Sequence, residues 1–490
     1  MSSVVTDSRV AAVQARMDQS RAAAEAMRVE QPSGVHRPAG TSSRRAAWMV
    51  LRGRVNTIGF AQELFAHRPI SHVGLGADHI YALSDPDLIW ESFAGMDAIT
   101  TRTRLWQRAR VVFGNGLFMS EGAEHRRNRA LVQPTFSPRR IRSYADQMVD
   151  AAESLDRRWQ HAYARGRTDI NIGSEMSAIT LDVVGRTLFG VDLIRQAPDI
   201  AEAVTRLLTV FRMTVSPIGD LLVRVPSPAR TNALAALTRL DEVVDRAIAD
   251  KRAQLAAGTS ADDMLSVLIE ARDPQTGQGM SDAQIRDEVT TIILAGHETT
   301  ATALSWTLLE LANNPEVLLR AQREWDSFGA DHRFSFGDYR SLPYTQALLH
   351  ESIRRHPPVW LLGRRVTEDV ELGGYEIPAG SGLLACQLFM HNDPTHWRAP
   401  TRFDPTRWLD DDGAFDERNA RPHPGAFFPF GFASRRCLGD RFALLEGALL
   451  LASIGRDWHV VPSRPGVVRP ATSITMRPDN GIPARLAPRR

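Results

Sequence analysis

The sequence predicts a mainly α-helical protein with a small β-rich part, built as one large unit. Three observations carry this. From about Ser137 to Asn314, apolar residues recur three and four apart, the spacing of one helix face. Within that stretch runs one exceptionally long helical segment with its own start and stop signals. Beyond Pro343 the pattern changes to short apolar runs broken by glycines, as in β-hairpins.

Composition agrees with a folded globular chain: 490 residues, 43% apolar and 24% charged. That length is enough to bury a sizeable core. No solenoid-like repeat and no long low-complexity linker divides it. The net charge is +2, and all but one of the 59 basic residues are arginine, the exception being Lys251. Codon bias in a GC-rich genome accounts for the arginines. They are scattered rather than gathered in a stripe with aromatics, which argues against nucleic acid. Two cysteines, Cys386 and Cys437, are too few for a disulfide framework or a Cys-rich zinc site. Residues 1–47 hold no apolar run of signal-peptide length, and no window has the ~18 apolar residues of a membrane span. The expectation is a cytoplasmic protein without a membrane anchor, with residues 1–47 a poorly ordered N-terminal extension and residues 48–490 the functional domain.

In chain order, Ile70–Leu75 and His79–Leu83 read as β-like, and Pro86–Phe93 as helical. The helical region that follows is interrupted at Val215–Val225, where Pro217, Gly219 and Pro226 mark a break. The long helix has Ser281 and Gln284 as a capping box and Asn313-Asn314-Pro315 as its stop. It spans about 32 residues, roughly 48 Å. Its centre, Ile292–Thr307, is nearly all apolar or small, so it runs through the protein's middle. A helix ending at Arg354-Arg355-His356-Pro357-Pro358 precedes a hairpin at Val370–Leu372 and Tyr375–Ile377, with Gly373-Gly374 at the turn, and then a β-like Ser381–Met390. An irregular stretch, Asn392–Arg436, leads to a last helix from about Leu438 to Ile454.

Three groups of residues carry chemistry. Cys437 lies in Phe430-Gly431-Phe432-Ala433-Ser434-Arg435-Arg436-Cys437-Leu438-Gly439, where small residues enter a helix. A helix N-terminus and nearby arginines stabilise thiolate over thiol. A free cysteine packed as a small hydrophobe fits the same residues equally well. Cys386, in an apolar stretch without basic neighbours, fits the packing role. The second group is Ala295-Gly296-His297-Glu298-Thr299-Thr300 in the long helix. A mid-helix glycine costs about 1 kcal/mol and needs a packing or ligand reason. An acid beside hydroxyls in an apolar stretch can relay protons. A zinc-protease helix would need histidine at position 301, where the chain has Ala301. The third group is Glu351 and Arg354, three apart on one helix face.

In this order and at these separations, the three motifs resemble those of the cytochrome P-450 haem-thiolate monooxygenases, over roughly residues 48–488. The resemblance implies the cytochrome P-450 fold, with the long helix over a buried haem b. It makes Cys437 the axial ligand of the haem iron, with Phe430 and Gly439 completing its loop. Glu298 and Thr299 become the acid–alcohol pair that delivers protons during dioxygen activation, and Gly296 the point where the helix leaves room for O2. Glu351, Arg354 and Arg407 become a structural network that holds the Cys loop. His125, Arg129, Arg364 and Arg435 become contacts of the haem propionates. Two positions depart from the usual pattern: Ala433 stands where the loop usually has glycine, and His125 where many members have tryptophan. Glycine there permits positive φ, so Ala433 implies strain or an altered loop.

The chain lacks a G-x-G-x-x-G loop, since Gly74-Leu75-Gly76 has no third glycine. The tail beyond the last helix is short for a flavin reductase domain. Electrons from NAD(P)H are therefore expected through a separate ferredoxin and ferredoxin reductase. By resemblance the pocket draws on Trp106, Phe113, Leu117, Phe211, Met213, Ile218, Val359, Trp360 and Leu361, which imply an apolar substrate such as a terpenoid, polyketide, steroid or fatty acid. A peroxide-using or rearranging haem-thiolate enzyme and a non-catalytic haem sensor are the alternatives. The acid–alcohol pair argues against both.

Overall fold

The computed structural model describes residues 2–27, 29, 34–51, 57–75, 78–107, 109–190, 228–258, 263–420, 423–463, 466, 468–472 and 475–489. The helical break at Val215–Val225 lies outside them, as do Phe211, Met213 and Ile218. The longer helices are α1 (Ser2–Ala26), α2 (Ser43–Leu51), α3 (Thr57–Leu64), α4 (Gly122–Val132), α5 (Pro138–Tyr163), α6 (Ile172–Phe189), α7 (Pro228–Ala256), α8 (Met264–Glu270), α9 (Asp282–Asn313), α10 (Pro315–Asp326), α11 (Pro343–Arg355) and α12 (Asp440–Asp457). Among the described residues, no helix is long and apolar enough to cross a membrane.

Helix α9 is the axis of the molecule. Ser281 caps it by accepting a hydrogen bond from the Gln284 N–H, and it runs for 32 residues to Asn313. Only half of the predicted capping box forms. The Gln284 side chain donates instead to Asn128 Oδ1 at 2.7 Å, tying α9 to α4. From Thr300 to Leu311 every residue of α9 is buried, with α6, α7, α11 and α12 packed around it. The single lysine is used inside this helical layer. Lys251 Nζ pairs with Asp263 at 2.5 Å, both nearly inaccessible, and Asp263 also caps α8 at the Ser266 N–H.

A five-stranded sheet, in the order β1 (Ile70–Leu75), β2 (Asp78–Leu83), β8 (Gly382–Cys386), β5 (Leu361–Val366) and β3 (Thr100–Thr101), flanks the helices. Only β2 and β8 are parallel. The smaller sheets are β6–β7 (Val370–Leu372 with Tyr375–Ile377), β4–β12–β9 (Asp169–Asn171, Pro483–Pro488 and Trp458–Pro462) and β10–β11 (Pro470–Thr472 with Met476–Pro478).

Two expectations need correction. Ser381–Met390 is not all β: the strand ends at Cys386 and Gln387–Met390 turns helical. Gln387 Nε2 reaches the Phe428 carbonyl at 2.8 Å and holds that corner against the stretch before the Cys loop. The expectation of a poorly ordered extension is also corrected for residues 2–26. Residues 2–26 form α1, which packs on α7 and on the short helices at Arg104–Gln107 and Arg110–Phe113. Val13 and Met17 join the main core. The polar composition hid one face with apolar side chains at helical spacing.

Candidate active site

One face of α9 lines a cavity of about 200 Å³ through Glu288, Thr291, Ile292, Ala295, Gly296, Thr299 and Thr300. The three-and-four spacing puts these side chains in one row. The rest of the lining includes Arg435 to Gly439 with Phe442 and Ala443 from α12, His125, Arg129 and Val132 of α4, and Arg102, Leu117 and Phe118. Cys437 and Thr299, far apart in sequence, thus share one chamber.

The Cys437 loop is built by backbone turns. The Cys437 N–H donates to the Phe430 carbonyl at 2.8 Å. Gly431 takes φ +73° and Ala433 takes φ +46°. Glycine adopts such angles freely, whereas an alanine there costs about 1–2 kcal/mol. Ala433 therefore keeps the turn and carries the strain. Ala433→Gly should raise stability by about 1 kcal/mol, less the extra freedom glycine gives the unfolded chain. A chemical-denaturation midpoint that falls, or stays put, would show that the turn is not strained.

The expected stabilisation of a Cys437 thiolate is outweighed in the folded protein. The Gly439 N–H, Arg436 and Arg129 act in the anticipated direction, but burial dominates and pushes the thiol up to about 11. A cation at Sγ would reverse the balance, because metal ligation requires the thiolate. Cys386 lies fully buried in β8, where burial pushes it up to about 12.

Thr299 Oγ1 donates to the Ala295 carbonyl at 2.7 Å, four residues back. The Glu298 carboxylate turns to the β-rich side and accepts from Thr475 Oγ1 at 2.8 Å. The cavity wall thus holds Thr299 and Gly296 but not Glu298. His297, between them in concept but on the far face of the helix, is buried, and its pKa falls to about 4, so it is neutral.

Around His125 lies a knot of positive charge. Burial lowers Arg102 and Arg364, and Arg364 and Arg435 depress Arg102 further; Arg364 falls to about 10. Arg435 donates to the Ser120 carbonyl at 2.7 Å and pairs with Glu121. Burial and the four arginines 435, 129, 102 and 364 drive His125 down to about 3. Arg129 directs Nη1 to the carbonyls of Ser434 at 2.7 Å and Arg436 at 3.0 Å, so it also braces the Cys loop.

A second network holds that loop from behind. Arg354 binds Glu351 through two 2.8 Å bonds, and both side chains are wholly inaccessible. Glu351 also accepts from Arg407 at 3.3 Å, from Trp408 Nε1 at 3.1 Å and from the Asp404 N–H at 3.0 Å. Arg354 reaches the His391 carbonyl at 2.7 Å, and the Phe428 N–H donates to His391 Nε2 at 3.0 Å. The chain of contacts ends two residues before Phe430.

The expected pocket residues are only partly gathered. Leu117 lines the cavity. Trp106 and Phe113 pack on Phe118, at 5.1 and 5.0 Å between ring centres. Trp360 packs instead with Phe65, Val73 and Cys386 in a separate cluster. Sequence reasoning missed Arg102, Glu121, Glu288 and Thr475. Arg102 and Glu121 stand among other charges with no motif around them, and Glu288 sits in a helix whose apolar centre begins only later.

Glu288 is 1% exposed, and burial raises its pKa to about 8. A carboxyl raised in the folded state contributes most below its unfolded value near 4.5 and loses stability as pH climbs through 4.5 to 8. Glu288→Gln, which keeps an acceptor for the Leu117 N–H, should therefore gain stability over the parent above pH 8 and not at pH 4. Parallel melting curves at the two pH values would expose the error if the difference were constant.

A long central helix lining a chamber that also takes in a cysteine loop and an arginine knot defines a haem-thiolate enzyme. The family model described as Cytochrome P450 matches residues 60–481. Cyclooctatin synthase of Streptomyces melanosporofaciens is 35% identical over 88% of this chain and 90% of its own. Cyclooctat-9-en-7-ol 5-monooxygenase of the same organism is 33% identical over 82% and 85%. Pentalenene oxygenase of Streptomyces avermitilis is 29% identical over 90% and 95%. Among solved structures, the cytochrome P450DA heme domain superposes with a TM-score of 0.77 at 25% identity, covering 89% of this chain and 93% of that one. This chain belongs to the cytochrome P450 family.

The family's group is haem b, and the residues present fit it. Arg102, Arg364, Arg435 and Arg129 exceed the nearby acids Glu121 and Asp97, and an excess of buried cations calls for anions such as two propionates. Apolar side chains such as Leu117, Phe118, Val132, Phe136, Val184, Ile292 and Phe442 supply much of the remaining wall, with Cys437 as its thiol.

Proposed function

We propose that the protein is a monooxygenase that inserts one oxygen atom from O2 into an apolar terpenoid, with electrons from NAD(P)H reaching it through a separate ferredoxin and its reductase. The observation that carries this is the shared chamber of Cys437 and the Gly296–Thr299 face of α9. Terpenoid names recur among the relatives, cyclooctatin synthase and pentalenene oxygenase among them. Haem b supplies dioxygen reduction and O–O cleavage, favoured by an axial thiolate.

In this reading Cys437 would hold the haem iron, its loop fixed by the bond from its own N–H to the Phe430 carbonyl. Arg364, Arg435, Arg102 and His125 hold the propionates, and Arg129 divides itself between that end and the loop. Gly296, with no side chain, would leave the helix surface open toward the haem and O2. Thr299, its hydroxyl parked on Ala295, offers a hydrogen bond there. Glu298, turned toward Thr475, must swing or pass protons through Thr475 to reach the chamber.

Thr299→Ala should still bind haem and substrate and still consume NAD(P)H. Product per NAD(P)H should fall by about tenfold or more, with the difference recovered as hydrogen peroxide. Glu298→Gln should instead slow turnover and enlarge the solvent isotope effect. Unchanged coupling in Thr299→Ala would remove the relay role.

A further inference from the structure

The apolar chamber has a polar end. Glu288 and Thr291 line it eleven and eight residues before Thr299 on the same helix face, about 16 and 12 Å along the axis. One Glu288 oxygen accepts from the Leu117 N–H at 2.8 Å. The other, Oε1, is buried with no hydrogen-bond partner, and so is Thr291 Oγ1. Native proteins seldom leave two such oxygens unbonded on one helix face. Thr291 Oγ1 lies against Gly116 of the 115–117 loop, yet neither oxygen bonds to that loop. The neighbouring Asp287 already holds it through the Asn115 N–H at 2.7 Å, and Glu288 uses only its second oxygen on Leu117.

We infer that Glu288 and Thr291 form a hydroxyl-recognition subsite, so that the substrate already bears an alcohol at the end remote from the carbon to be oxidised. This rests on the monooxygenase reading and narrows it. The separation along α9 sets the span between the alcohol and that carbon on the order of 10–15 Å. An alcohol both donates and accepts, and so satisfies a carboxyl and a threonine together. With its pKa near 8, Glu288 is neutral at pH 7 and suits an alcohol better than an ammonium group. The enzyme then acts after a reaction that has put the first oxygen on the skeleton, either an earlier hydroxylation or a cyclisation quenched by water.

The test uses the haem-loaded protein and two probes of matching shape, 5α-androstane and 5α-androstan-3β-ol, with Kd taken from the low- to high-spin shift. The alcohol should bind about tenfold more tightly. Thr291→Val and Glu288→Met should cut that preference to about threefold or less while leaving androstane affinity unchanged. Glu288→Gln, isosteric and neutral, should restore most of it. Equal affinity for the two probes in the parent, no shift with either, or variants that weaken both alike would overturn the subsite. Product formation from the same probes with ferredoxin, reductase, NADPH and O2 separates the two claims. Product without an alcohol preference sinks the subsite alone, and an alcohol preference without product sinks the monooxygenase reading.

Discussion

Arg354→Ala should destabilise the protein by about 3–5 kcal/mol and abolish haem incorporation. The residue is wholly inaccessible and answers both oxygens of Glu351. Its removal leaves Glu351 buried with one peripheral arginine, Arg407, and two neutral donors. It also strips donors from the carbonyls of His391 and Pro400. Because the His391 ring receives the Phe428 N–H, the damage reaches the residues that enter the Cys loop. Arg354→Lys should rescue little, since an ammonium cannot reproduce the two-pronged pairing. Replacing Glu351 and Arg354 together by Gln and Met should cost less than Arg354→Ala alone, because no lone charge stays behind. The measurements are soluble yield, haem-to-protein ratio and melting temperature. A soluble, haem-replete Arg354→Ala protein would show that this pair does not hold the loop.

Cys437→Ser should eliminate, not weaken, the strongly red-shifted absorption of the reduced carbon monoxide complex, and with it the activity. The serine hydroxyl keeps the size and the loop but is far harder to deprotonate in a site where burial raises even the thiol to about 11. Cys386→Ser provides the contrast. That side chain is fully buried in β8 among apolar neighbours, so a hydroxyl there should cost about 1–3 kcal/mol yet leave the band in place. A Cys437→Ser protein that retains the band would refute the ligand assignment.

Much of the architecture was legible because it rests on local signals. Ser281 and Asn313-Asn314-Pro315 bound α9 at both ends where the structure has it, since caps and proline act within one turn. The Gly373-Gly374 turn announced the β6–β7 hairpin in the same way. Cys437 and Thr299 were legible as motifs, with residue types and spacings that few other chemistries need. Order in α1 was not legible, because its sparse apolar residues gain meaning only from α7 across the interface.

What only the tertiary structure decided are the quantities that depend on what lies opposite. Desolvation pushes the Cys437 thiol up, against the helix end and arginines visible in its own loop. Glu298 and Thr299 are adjacent in sequence, yet one lines the chamber while the other turns to Thr475, because successive residues on a helix point about 100° apart. The arginine knot joins positions 102, 129, 364 and 435, and the polar end of the chamber depends on Leu117 meeting Glu288. Helix caps and turns are short-range and can be read along the chain. Burial and electrostatic coupling act through space, and they exist only once the chain has folded.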